Sequence, residues 1–311
     1  MEVGSAWLAY LIEIENYYTM KYFVLILLMG SLAIFRAQIP GDCNDLLMDY
    51  SDFVETDSTI WQIELKDAAT IATLMYYGAS HSKDIFHPQF QEIVDKWNSD
   101  KFDIALFEGP NRGILSTKEE TIANLGESGY VRYLANEKNI PVSTLEPSPI
   151  SEIEYLSTLF PIDQIKLFFL LREAQRVRET LGMDKDQIID YMEKLLVKAN
   201  AIPQLENTIT TISGLEKAYI KYWGDKGEWW QAPSAWFTPS GNSLETGGIF
   251  TNEINKFSSE FRNLHMVQLI SSLLSEGKKI FAVVGRNHVP MQADALACEW
   301  GKLISISNDG N

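Results

Sequence analysis

The sequence predicts an α/β fold, with a mixed and mainly parallel sheet and an inserted helical subdomain. Short apolar runs that end in glycine or in an acidic residue alternate with helix-like stretches on both sides of the chain's middle. Alternation of strands and helices is typical of a parallel sheet covered by helices. From about 150 to 223 the periodicity is helical only, so the helical insertion is expected at about 150–245. The composition, 46% hydrophobic, supplies a full core.

Residues 1–40 are expected to be an N-terminal extension followed by a signal peptide or anchor. The run at 22–35 is apolar and uncharged and follows Lys21, which is the layout of a secretory signal. It is shorter than the roughly 20 residues that a membrane-spanning helix needs. Met20 is the expected true start. We therefore expect an exported protein, periplasmic or extracellular, with an uncleaved membrane anchor through 22–35 as the alternative.

Residues 41–311 are expected to form one α/β domain around the insertion. The first part predicts a hairpin of two strands over 60–77, turning at Lys66 and Asp67. The elements expected next are a helix at 88–97, a strand at 102–109, a helix at 128–139 and a strand at 140–146. After the insertion, a helix is expected at 248–276, a strand at 278–285, a helix at 291–300 and a final strand at 303–307.

Charge and cysteine content limit the partners and the chemistry. The formal net charge is −16 and is spread along the chain, so a phosphate backbone would be repelled and nucleic acid is not an expected partner. A peptide or a small molecule is the expected substrate. The two cysteines, Cys43 and Cys298, are compatible with a disulfide or with two free thiols, because spacing does not determine pairing.

Two of the four histidines share one local pattern. His81 and His288 each follow an apolar run through Gly-x-x-His, in GASH and GRNH. Glycine lets the backbone turn sharply at the end of a strand. Ligand sites of parallel α/β sheets lie beyond the carboxyl ends of their strands. Both histidines are therefore expected at one edge of the sheet, in a functional site.

Carboxylates and an arginine extend this candidate site. Glu108 ends the strand FDIALFE and Glu146 ends the next strand, so both are expected at the same edge. Two imidazoles and a carboxylate could bind a divalent metal that activates water. They could equally act without metal, with histidine as general base and Arg262 stabilising an oxyanion. Spacing leaves both open, since the chain has no His-Glu-x-x-His motif.

The loop at 224–243 is rich in tryptophan. Trp229 and Trp230 are interpreted in two ways, as aromatic anchors that fix the loop or as part of a substrate-binding lid that excludes solvent.

Taken together, these motifs resemble the TraB family, which includes the TIKI-type proteases and the pheromone-shutdown (PrgY-like) proteins. More distantly the chain is similar to erythromycin esterases and ChaN-like proteins, whose architecture the resemblance implies here. The matching segments are IWQIEL with LMYYGASH, then DIALFEG, FRNLHM and IFAVVGRNHVPMQADAL. The resemblance covers roughly 58 to 307.

The resemblance implies a site made of His81, Glu108 and His288, together with the helix pair Arg262 and Asn263. It implies an exported hydrolase of a peptide or ester bond, metal-dependent through Mn²⁺, Co²⁺ or Zn²⁺ held by the two histidines and Glu108. Asn263, with Glu146 and the tryptophans, is expected to contact substrate. The alternatives are a non-catalytic ligand-binding protein and a ChaN-like protein that handles haem or iron.

Overall fold

The protein is described here from a computed structural model, which covers residues 42–50, 52–53, 61–225 and 227–309. The predictions for residues 1–40, including the apolar run at 22–35, lie outside this range. The described chain forms two compact units. One contains the residues up to Glu146 and from Asn263 onward, and the other is Pro147–Arg262.

The first unit is built on one five-stranded sheet. Its strands are β1 (Gln62–Lys66), β2 (Thr73–Ala79), β3 (Ile104–Phe107), β4 (Val142–Thr144) and β5 (Lys279–Gly285). Their order across the sheet is β1-β2-β5-β3-β4, in which β1 runs antiparallel to β2 and the other neighbours are parallel. The predicted α/β class with a mixed, mainly parallel sheet is confirmed, and β5 is its central strand.

The helices are numbered along the whole described chain. They are α1 (Gln89–Asn98), α2 (Lys118–Glu137), α3 (Pro149–Ser157), α4 (Ile162–Leu181), α5 (Lys185–Ala199), α6 (Ile212–Trp223), α7 (Ser243–Thr246), α8 (Thr251–Ser275) and α9 (His288–Asp309). The last turns of α8, from Asn263, belong to the first unit together with α1, α2 and α9.

Helices cover both faces of the sheet. Successive side chains of a strand point to opposite sides, so each strand contributes to two cores. Leu74 and Tyr76 of β2 pack in a core with α8 and α9, whereas Met75 and Tyr77 pack in a second core with α1 and α2. The apolar strand sequences are explained by this double coverage, since a strand buried on both faces needs no polar alternation.

The second unit is helical and has its own core. Helix α4 supplies many of the buried side chains, and α3, α5, α6 and two short 3₁₀ segments, Trp229–Gln231 and Ser234–Phe237, pack on it. This unit spans the range in which the helical insertion was expected and extends to Arg262.

The prediction of a final strand at 303–307 is wrong. Helix α9 begins at His288 and continues to Asp309, through the whole LISIS segment. Alternating apolar residues in so short a segment also fit a helical stripe. Leu303 and Ile304 follow Leu296 and Trp300 at helical spacing and pack against the same core.

Two further features bear on the sequence predictions. Cys43 and Cys298 form a disulfide, with Cα atoms 5.6 Å apart, which ties the 3₁₀ segment Cys43–Leu46 to α9. Among the described helices, none combines the length and the apolar character required to cross a bilayer.

Candidate functional site

The carboxyl ends of three adjacent strands bring the predicted site residues together. Central strand β5 lies between β2 and β3, with Ala79 of β2 level with Gly285 and Phe107 of β3 level with Val283. His81, Glu108 and His288 follow β2, β3 and β5 by two, one and three residues. The three side chains therefore emerge around the end of one strand, as the sequence predicted.

Glu108 is fixed at the centre of this cluster. Its Oε2 accepts a hydrogen bond from the backbone N–H of Gly285 at 2.6 Å, and its Oε1 lies 3.4 Å from Nε2 of His288. The side chain of Glu108 is only 9% exposed. A buried carboxylate is expensive unless it is hydrogen-bonded or paired, so this environment holds it in one orientation.

Because Gly285 has no Cβ atom, the side chains of His81 and Glu108 can both lie close to its Cα. A Cβ atom on Gly285 would lie 2.9 Å from Nε2 of His81 and 3.1 Å from Oε2 of Glu108. The glycine of the second Gly-x-x-His motif is thus needed for a close approach of side chains. The first motif uses its glycine differently, since a Cβ on Gly78 would meet the Cα of Arg286 at 2.8 Å.

His81 has a carboxylate partner that sequence reasoning missed. Its Nδ1 lies 2.6 Å from Oε1 of Glu127, a buried residue of α2. Immediately before it, Gly126 interrupts the helix with φ 61° and ψ −150°, a conformation that glycine adopts readily. A Cβ on Gly126 would lie 3.2 Å from the carbonyl oxygen of Ser82, so the break allows the helix to approach the His81 turn.

This pairing sets the protonation state of His81. The hydrogen bond to Glu127 raises the pKa of His81 to about 9, against the opposing effect of burial and with the help of the negative charge of Glu108. At neutral pH His81 is therefore an imidazolium whose Nδ1–H is donated to Glu127. Its side chain is 30% exposed, more than those of Glu108 and His288.

His288 is oriented by a buried chain of polar groups. Its Nδ1 lies 2.6 Å from Oδ1 of Asn263, which also accepts a hydrogen bond from Nε2 of Gln292 at 2.8 Å. The hydroxyl of Tyr76 donates to Oε1 of Gln292 at 2.7 Å. Since Asn263 presents an acceptor, Nδ1 of His288 carries a hydrogen and Nε2 is the nitrogen that faces Glu108.

The loop after β3 is held by three further contacts. The Ser128 hydroxyl donates to the carbonyl oxygen of Glu108 at 2.6 Å, and Oε1 of Glu146 accepts from the N–H of Gly109 at 3.1 Å. Arg132 donates through Nε to the carbonyl oxygen of Gly113 at 2.9 Å and lies over the Phe107 ring. Glu146 is thus at the predicted edge of the sheet, where its carboxylate holds the backbone of Gly109 in place.

The remaining predicted residues lie in the second unit. Arg262 is buried and is the last residue of that unit, directly before Asn263. Trp229 is buried in the core of the second unit and Trp230 packs partly buried against it, with its carbonyl oxygen accepting from Arg178 at 2.6 Å. This environment is that of aromatic anchors that fix the loop, one of the two interpretations of the tryptophans.

The donor types suit the predicted metal ions, but their placement does not match a metal centre. Imidazole and carboxylate ligands are those that Zn²⁺, Co²⁺ and Mn²⁺ accept. Across the described ranges, however, no group of three or more His, Cys, Asp or Glu side chains is arranged to hold a metal ion. The metal therefore stays a prediction.

Glu127 and Gln292 were missed because the local sequence signals beside them are weak. Glu127 lies in a helix whose sequence, NLGESGY, reads as an ordinary amphipathic stretch. The one available signal was Gly126 beside it, since a glycine inside a helix often has a packing or functional reason. Gln292 follows His288 by four residues, the spacing at which helical side chains share a face.

Comparisons of the chain with protein-family models, with curated proteins and with solved structures give no match.

Proposed function

We propose that this protein is a hydrolase that cleaves a peptide or ester bond with water activated beside His288 and Glu108. The observation that carries the proposal is the convergence of His81, Glu108 and His288 at the end of β5, with the two rings oriented by Glu127 and Asn263. Two histidines with different partners, next to a buried carboxylate, provide an acid and a base in one site.

His288 is the proposed general base. Its Nδ1–H is held by Asn263, so Nε2 takes the proton of the attacking water while Glu108 at 3.4 Å stabilises the imidazolium that forms. The hydroxide adds to the carbonyl carbon, and the negative charge moves onto the carbonyl oxygen.

His81 is the proposed acid. With a pKa of about 9 it carries a proton at neutral pH, stabilises the charged carbonyl oxygen and then protonates the leaving oxygen or nitrogen as the C–O or C–N bond breaks. The products are a carboxylic acid and an alcohol or amine, and the proton on His288 restores the pair through solvent. His81 is the more exposed ring, which suits contact with substrate.

Four expectations from the sequence stay predictions without a defined geometry. Arg262 as a group that steadies the carbonyl oxygen stays a prediction, as does the resemblance to the TraB family, which favours peptide or ester bonds. Dependence on Mn²⁺, Co²⁺ or Zn²⁺ at His81, Glu108 and His288 also stays a prediction, and no step of the proposed mechanism uses a metal. Export of the protein stays a prediction too.

The test is hydrolysis of a panel of chromogenic esters and of a mixed peptide library by the full chain. General acid–base catalysis is worth about 10²- to 10⁴-fold, so His288→Ala and Glu108→Gln should each lose activity on that scale. His265→Gln is the matched control. His265 lies on α8, and among the described residues no hydrogen bond or ion pair joins it to His81, Glu108 or His288. Elemental analysis of wild type and His288→Ala, purified without a histidine tag, tests the metal.

Each result has a defined reading. Activity that survives both variants contradicts the proposed site. Ligand binding without any turnover would indicate the non-catalytic alternative, and a shifted visible absorption band on haem titration would indicate the haem-handling one.

A further inference from the structure

The backbone that carries Glu108 is hydrogen-bonded at every polar atom of two successive residues. The N–H of Glu108 donates to the carbonyl oxygen of Val283 at 3.2 Å, and the carbonyl oxygen of Glu108 accepts from the Ser128 hydroxyl at 2.6 Å. Gly109 follows with φ 86°, a left-handed conformation that glycine adopts readily, and both of its polar backbone atoms bind side chains. A change in this backbone conformation would therefore break several hydrogen bonds at once.

Gly109, Thr144 and Glu146 form a closed ring of hydrogen bonds. The N–H of Gly109 donates to Oε1 of Glu146 at 3.1 Å, and the N–H of Glu146 donates to Oγ1 of Thr144 at 3.1 Å. The Thr144 hydroxyl donates in turn to the carbonyl oxygen of Gly109 at 2.6 Å, which closes the ring. A hydroxyl can accept one hydrogen bond and donate another, and hydrogen bonds joined in this way polarise and strengthen one another.

The position of Thr144 follows from the sheet. Thr144 is the last residue of β4 and is paired with Phe107, the last residue of β3. Its hydroxyl therefore reaches the backbone two residues beyond its strand partner, directly after Glu108. This side chain thus links the edge strand of the sheet to the residue at the centre of the candidate site.

The Glu108 carboxylate depends on the same backbone. Its Oε2 accepts from the N–H of Gly285 at 2.6 Å, and its Oε1 lies 3.4 Å from Nε2 of His288. A rotation of the backbone at Glu108 would move its Cβ atom and lengthen both contacts. Small displacements of groups in a catalytic site can cost a large part of the rate.

We propose that Thr144 is a positioning residue of the candidate site. By closing the hydrogen-bonded ring it fixes the backbone of Glu108, and so keeps the Glu108 carboxylate on its partners. The inference rests on the proposed hydrolase function, in which Glu108 stabilises the imidazolium of His288. It gives β4 a role in a site whose two histidines and carboxylate follow β2, β3 and β5.

The test is the amide proton signal of Gly285 in the full-length protein labelled with nitrogen-15 glycine. A short hydrogen bond to a carboxylate shifts an amide proton strongly downfield, so this signal reports whether Glu108 keeps its place. Thr144→Val preserves the shape of the side chain and removes the hydroxyl, and the Gly285 signal should move upfield. Thr144→Ser retains the hydroxyl and should restore the wild-type signal.

Hydrolysis of the ester and peptide panel gives the second readout. Thr144→Val should lower kcat by at least about tenfold, because Glu108 is displaced from His288. KM should change little, because Thr144 acts through the backbone and makes no contact with substrate in the proposal. Thr144→Ser should recover kcat.

Thr158→Val is the matched control. Thr158 is exposed, lies in the second unit and donates to the carbonyl oxygen of Tyr155 at 2.7 Å. The same chemical change there should leave both the Gly285 signal and kcat as in wild type. Ser128→Ala is the second variant, in case Thr144→Val does not fold. It removes one hydrogen bond from the backbone of Glu108 and should move the Gly285 signal in the same direction.

Three results would overturn the inference. They are a Gly285 signal that stays in place in Thr144→Val, or in Ser128→Ala where Thr144→Val does not fold; a displaced signal that Thr144→Ser does not restore; and an unchanged kcat in Thr144→Val. If the Gly285 signal behaves as expected but wild type hydrolyses no ester or peptide, the positioning role of Thr144 holds and the hydrolase proposal fails.

Discussion

His81 and Glu127 are in direct contact in the candidate site, with 2.6 Å between Nδ1 and Oε1. The two residues come from different elements, the turn after β2 and the interrupted helix α2. This pairing gives the two histidines different environments. Glu127 keeps a proton on His81 at neutral pH, whereas the neutral amide of Asn263 orients His288.

Replacement of Glu127 by Gln should lower the pKa of His81 from about 9 toward the ordinary value of 6.5. The amide keeps the size of the side chain but removes the negative charge that stabilises the imidazolium. Titration of the histidine ring protons by NMR measures the change. Glu137→Gln, at the exposed end of the same helix, is the control and should leave His81 unchanged. A His81 that still titrates near 9 in Glu127→Gln would show that another group sets its pKa.

The same pairing should make stability depend on pH. The folded-state pKa of about 9 lies above the unfolded value of 6.5, so the stabilisation is complete below pH 6.5 and is lost as pH rises through 9. The contribution is at most about 3 kcal/mol, from 1.36 kcal/mol per pKa unit. Urea unfolding of wild type and His81→Gln at pH 6 and pH 9.5 measures it. The difference between the two proteins should shrink at the higher pH; a constant difference would contradict the linkage.

Tyr76→Phe should disturb His288 from a distance. Loss of the hydroxyl leaves Oε1 of Gln292 without its donor in a buried site, which costs about 1–3 kcal/mol of unfolding free energy. The Gln292–Asn263–His288 chain then loses its anchor, so the ring-proton signals of His288 should broaden or shift.

Tyr77→Phe is the matched control for this change. Tyr77 is the next residue on β2, points to the other face of the sheet and bonds Glu92. Its replacement should leave the His288 signals in place. Equal effects of the two variants would mean that the polar chain does not orient His288.

Gly285→Ala should disrupt the site without a change of charge. The added methyl would meet Nε2 of His81 and Oε2 of Glu108 at 2.9 and 3.1 Å, so at least one of the two side chains must move. We expect hydrolytic activity to fall by at least about tenfold, as for other small misplacements of catalytic groups.

Gly301→Ala provides the comparison. Gly301 lies inside α9 with open space around its Cα, and alanine is favoured over glycine in a helix by up to about 1 kcal/mol. This variant should be as active as wild type and slightly more stable in thermal unfolding. Full activity in Gly285→Ala would contradict the arrangement of His81 and Glu108 around β5.

The amino-acid sequence alone determined the class of fold, and it predicted three side chains of the candidate site. Apolar runs such as FDIALFE predict strands buried on both faces, and parallel strands place the residues after them at one edge. His81, Glu108 and His288 could therefore be assigned together, although they are far apart in the chain. The mistaken strand at 303–307 marks the limit of such patterns, because LISIS fits either period.

Tertiary structure alone decided what surrounds those three side chains. The strand order makes β5 central, so the side chains of His81 and Glu108 both lie close to Gly285 at its end. The partners Glu127, Asn263 and Gln292 come from helices whose faces are fixed only when they pack on the sheet. Their contacts depend on distances between segments distant in sequence, and local propensity carries no information about such distances. For this reason the sequence predicted which three residues meet at the edge of the sheet, while the packed fold set the protonation of His81 and the orientations of both histidine rings.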